Sequence, residues 1–103
     1  MNQKNPQLTI GEYQSNLVKR QRHYSNFQVT PLVIAIGLPG EVGEVCEIIK
    51  KHHRDGVLDI EHLKEELSDV LAYLGLIADI YDLTLQEIME FNEEKLNARI
   101  GEP

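Results

Sequence analysis

Two acidic couplets carry the most chemistry in this sequence: Glu41-x-x-Glu44 in GLPGEVGEVCEIIKK and Glu66-x-x-Asp69 in EELSDVLAYL. A spacing of three turns both carboxylates of a couplet toward one helical face. Two such helices packed antiparallel would gather four carboxylates around a small volume. Four anions share a poorly hydrated site only if they protonate or if something cationic sits among them. Hard divalent cations take oxygen ligands, and Mg²⁺ usually keeps waters and phosphate oxygens in its remaining positions. The couplets point to a metal site for phosphate chemistry.

Spacing alone is weak support. With 17 acids in 103 residues, roughly three acidic i,i+3 pairs arise by chance on a helical chain. Several more occur here: Glu44/Glu47, Asp79/Asp82, Glu87/Glu90 and Glu90/Glu93. The faces separate them. Around Glu41 the apolar stripe is Ile34, Leu38, Val42, Val45, Ile48 and Ile49, with Glu41 inside that arc and Glu44 on its border. The main stripe of the other helix is Ile60, Leu63, Leu67, Val70, Leu71, Leu74, Ala78 and Tyr81. Glu66 and Asp69 head a second stripe, which continues as Tyr73, Leu76, Ile77 and Ile80. Carboxylates at the head of an apolar stripe are costly unless coordinated.

These residues need helices to position them. Thr9 and Glu12 make a capping box for a first helix through Ile10, Tyr13, Leu17 and Tyr24. Its basic end, with Lys19, Arg20, Arg22 and His23, suits a helix C-terminus. Thr30-Pro31 starts a second helix to about His53. Pro39 inside it predicts either a kink just before Glu41 or a separate short turn from Leu32 to Ile36. Asp59 caps a third helix, Ile60 to Tyr81. Thr84 and Glu87 box a fourth, Leu85 to Ile100, closed by Gly101. The expected fold is all-α and four-helix bundle-like: residues 9–103 form one domain behind a flexible lead-in over residues 1–8. The third helix is apolar over two adjacent faces, which predicts a homodimer or homotetramer.

The fourth helix adds a second clue. Asn92 lies within its stripe of Leu85, Ile88, Met89, Leu96 and Ile100, and Lys95 and Arg99 follow on the border. This is either a satisfied buried amide with two snorkelling cations or a phosphate-binding trio. Lys51, on the Glu44 side of its helix, tips the balance toward phosphate.

Composition sets outer bounds. A net charge of -7 argues against a nucleic-acid binder, which relies on basic surface. The single Cys46 excludes an internal disulfide and reads as a small buried hydrophobe in a reducing compartment. The uncharged apolar run Val70 to Ala78 is too short for a bilayer, and no leader marks the chain for export. A cytoplasmic protein without membrane contact is expected.

With these residues in view, the chain resembles the MazG-like all-α nucleoside triphosphate pyrophosphohydrolases. GLPGEVGEVCEIIKK, EELSDVLAYLGLIAD and IMEFNEEKLNAR carry the resemblance, which runs from about Tyr13 to Arg99. It implies Glu41, Glu44, Glu66 and Asp69 as ligands of Mg²⁺, with Mn²⁺ as a substitute. It also implies Lys51, Asn92, Lys95 and Arg99 around the phosphates of a nucleoside triphosphate, and Gln14 of a Tyr13-Gln14 motif at the nucleotide. Three positions depart from the family pattern. Pro39 stands where relatives carry alanine, Gly40 where some carry glutamate, and Ala72 where the family's run has an indole. Base preference stays open.

The implied reaction is Mg²⁺-dependent hydrolysis between the α and β phosphates, giving a nucleoside monophosphate and pyrophosphate, in nucleotide-pool house-cleaning. Glu44 would orient the attacking water or accept its proton. The alternatives are a non-catalytic nucleotide sensor and a helical protein-interaction module. A di-iron bundle needs Glu-x-x-His couplets, and none of His23, His52, His53 and His62 completes one.

Overall fold

The structure, a computed structural model, describes residues 7–24 and 29–101, the side chain of Tyr24 excepted. All but the last two residues of the expected flexible lead-in lie outside them. Four helices follow one another: α1 Ile10–Tyr24, α2 Pro31–Asp55, α3 Ile60–Ile80 and α4 Leu85–Ile100. No strand forms among the described residues.

Local chemistry sets each boundary. Thr9 and Glu12 exchange side-chain and backbone hydrogen bonds at 2.9 and 3.0 Å, closing the box that starts α1. The Thr30 hydroxyl accepts from the Val33 N–H at 3.2 Å, with Pro31 behind it. Asp59 accepts from the His62 N–H at 3.1 Å, and Thr84 and Glu87 complete the box of α4. Gly56 ends α2 with φ 75°, a left-handed conformation glycine adopts without strain, and its N–H reaches the His52 carbonyl at 2.8 Å. Helix α2 runs on through Pro39, so no separate turn forms at Leu32 to Ile36. Proline has no N–H to give the Ala35 carbonyl, a local cost that the other twenty-odd residues of α2 outweigh.

α2 and α3 form a helical hairpin across a short loop. Gly37 faces Tyr73: a Cβ at position 37 would stand 2.6 Å from the tyrosine hydroxyl, so glycine sets how near the two helices come. α1 packs on α3, and α4 packs on both, whereas α2 and α4 do not meet among the described residues. Gly75 admits α1, since a Cβ there would lie 2.7 Å from Leu17 Cδ1. The buried apolar core comprises Ile34, Ile48, Ala78 and Leu85.

Gln14 ties three elements together. Its buried amide nitrogen donates to the Gly75 carbonyl at 3.0 Å and the Leu83 carbonyl at 3.1 Å. Its oxygen accepts the Leu85 N–H at 2.9 Å, at the start of α4. Gln14→Leu keeps much of the volume and strands the Leu83 carbonyl and the Leu85 N–H, each at about 1–3 kcal/mol. A loss of about 2–4 kcal/mol in unfolding free energy is expected by urea titration, against less than about 0.5 kcal/mol for a surface change such as Gln86→Leu.

Much apolar surface stays open. Leu67, Leu71 and Leu74, at helical spacing on α3, are 50%, 42% and 41% exposed. Leu32 and Ile36 on α2 and Phe91 and Ile100 on α4 are exposed further. The radius of gyration, 16.7 Å, exceeds the roughly 13 Å of a compact 100-residue domain. Two expectations change as a result. Cys46 is exposed, because α2 is covered only where α3 lies against it. Asn92 is exposed too, since only Leu85 of the stripe that holds it is buried within the described residues. No helix among the described residues is long and apolar enough to cross a membrane.

Candidate metal centre

The hairpin brings the couplets into register. Along α2, Gly37 lies opposite Tyr73, Glu41 opposite Glu66 and Asp69, and Glu44 opposite His62 and Glu66. Numbers rise on one helix as they fall on the other, so the pair is antiparallel and the couplets face each other. Ligand atoms of Glu41, Glu66 and Asp69 all lie within 4.8 Å of one another, as do those of Glu44, His62 and Glu66. Glu66 belongs to both groups and is only 9% exposed. Glu41 is half-buried, while Glu44 and Asp69 open toward solvent.

The electrostatics follow from this crowding. The Glu41 carboxyl is held above its ordinary value. The leading cause is a hydrogen bond shared with Glu66, followed by burial and then the negative charges of Glu66, Asp69 and Glu44. A proton there does what a cation would do better. Burial also raises the Tyr13 phenol on α1; the nearby Arg20 opposes that rise and the charge of Asp69 adds to it.

The donor set fits a hard divalent cation. Opposite ligands on bonds of about 2.1 Å stand about 4.2 Å apart. Three carboxylate oxygens within 4.8 Å can therefore share one ion and leave positions for water or phosphate.

Beside Glu44 a cleft of about 330 Å³ opens, lined by Glu47, Lys51, Asp55, Asp59 and His62 among others. Lys51 lines the same cleft as Glu44 and sets an ammonium among Glu44, Glu47, Asp55 and Asp59. Among the described residues, ion pairs engage Arg22, Lys50, Arg54 and Lys64, but not Lys51, Lys95 or Arg99. Asn92, Lys95 and Arg99 are exposed on α4, which does not reach α2 in the protomer. The amide nitrogen of Gln14 donates to two backbone carbonyls, those of Gly75 and Leu83.

His62 was not among the candidate residues. Its Nε2 lies 3.4 Å from a Glu66 oxygen. The one signal in the sequence was its place a single turn before Glu66.

Residues 29–101 match the family model of the MazG nucleotide pyrophosphohydrolase domain. The chain is also similar to the Gene 37 protein of Mycobacterium phage L5, 35% identical over 71 residues. That match covers 64% of this chain and 62% of the relative, so the chain spans less than two thirds of the relative's length. No solved structure matches.

Proposed function

Because the chain belongs to the MazG nucleotide pyrophosphohydrolase domain family, we propose that it hydrolyses a nucleoside triphosphate between the α and β phosphates in a Mg²⁺-dependent reaction. The observation that carries this reading is the buried Glu66, shared by two groups of metal-competent side chains at the α2–α3 junction. When bound, the cation would offset phosphate charge and lower the pKa of the attacking water.

The chain's own residues supply the rest. Glu41, Glu66 and Asp69 would hold the ion, with Glu44 at the mouth of the cleft. Glu44 orients the water and takes its proton. Lys51 places its ammonium against phosphate oxygens as negative charge builds on the departing pyrophosphate. Asn92, Lys95 and Arg99 serve the outer phosphates in an assembly, where a second copy covers the open faces of α3 and α4. The site rests on carboxylates, and Gly37-Leu38-Pro39-Gly40 is too short for a phosphate loop and lacks its Lys-Ser or Lys-Thr. That favours attack near the metal over γ-phosphoryl transfer. The role we assign is removal of surplus or non-canonical nucleotides in the cytoplasm.

A panel of canonical and modified nucleoside triphosphates with Mg²⁺, scored for pyrophosphate, tests the proposal. Pyrophosphate release from at least one member is the expected result. Binding without turnover would instead indicate a sensor. Neither binding nor any response to Mg²⁺ would indicate an interaction module.

A further inference from the structure

We infer that His62 is a nitrogen ligand in this centre, joining Glu44 and Glu66 around a divalent cation and making that position favour Mn²⁺ over Mg²⁺. This rests on the metal-dependent reading above and deepens it. The three ligand atoms come from two helices and lie within 4.8 Å of one another. An ordinary i,i+4 pair on the surface of α3 would need only His62 and Glu66, whereas here Glu44 arrives from the facing helix.

The 3.4 Å from His62 Nε2 to the Glu66 oxygen is longer than the usual 2.7–3.2 Å of an N–H···O bond. It suits the edge of a coordination shell: two donors on bonds of about 2.1 Å stand about 3.0 Å apart at right angles and about 3.4 Å at tetrahedral angles. His62 is partly exposed and lines the cleft beside Lys51, so an ion there is open to substrate. The all-oxygen group of Glu41, Glu66 and Asp69 suits Mg²⁺. An imidazole donor suits first-row transition ions, whereas Mg²⁺ strongly prefers oxygen.

Pulsed electron paramagnetic resonance of the full chain loaded with Mn²⁺ reads the ligand directly. The expected result is a ¹⁴N coupling of directly bound imidazole in the wild type and its loss in His62→Gln. Calorimetry should show the variant losing at least the ~10-fold in Mn²⁺ affinity that even an outer-shell partner carries, with Mg²⁺ affinity held within about twofold. Mn²⁺ bound without nitrogen coupling, or equal losses for both ions, would overturn this inference alone. No binding of either ion by the wild type would overturn it together with the reading beneath it. The wild-type spectrum decides the matter even if the variant folds poorly.

Discussion

Glu66→Gln is expected to lower turnover by about three orders of magnitude or more. The carboxylate it replaces is the one common to both groups of ligand atoms, so one substitution weakens both. Glu66 is also the most buried of the four acids, and a neutral amide there takes away the one carboxylate that both groups share. On the proposed function Mg²⁺ would bind the folded chain alone, so an excess of about 100 Kd should stabilise the wild type by about 2.7 kcal/mol. Glu66→Gln should lose that gain, while Glu90→Gln, whose carboxylate bonds Gln86 on α4, should keep it. Equal melting shifts in wild type and Glu66→Gln would mean that the acids do not act as one site.

Leu71→Glu is expected to turn the protein from an assembly into monomers. Leu67, Leu71 and Leu74 form an open apolar row on α3, and exposed apolar faces of this kind usually mark contact surfaces. A charge in the middle of such a face, once covered, lacks water and a partner. Light scattering should give a dimer or tetramer for the wild type and a protomer mass for the variant. Activity should fall with assembly, since α4 and its cations do not reach α2 within one protomer. A wild type that stays monomeric at micromolar concentration would contradict this.

What was legible in the sequence was local. Thr9 with Glu12, Thr84 with Glu87, and Asp59 before His62 mark helix ends because each bond closes within three residues. The carboxylate quartet was half legible. Each couplet is local, but their meeting depends on the hairpin; periodicity sets Glu41 deeper than Glu44, as the structure does, and does not separate Glu66 from Asp69. The role of Gln14 was illegible, because its partners lie 61, 69 and 71 residues away. The exposure of Cys46 and Asn92 was missed for a related reason. An apolar stripe says that a face seeks cover, not that the same chain supplies it.

In the proposed reaction water attacks the nucleotide at the α phosphate and pyrophosphate leaves. Hydrolysis in ¹⁸O-labelled water with Mg²⁺, followed by mass spectrometry of the products, distinguishes this from attack elsewhere. The label is expected in the nucleoside monophosphate, with pyrophosphate unlabelled. Label in the pyrophosphate, or orthophosphate and a diphosphate as first products, would contradict it.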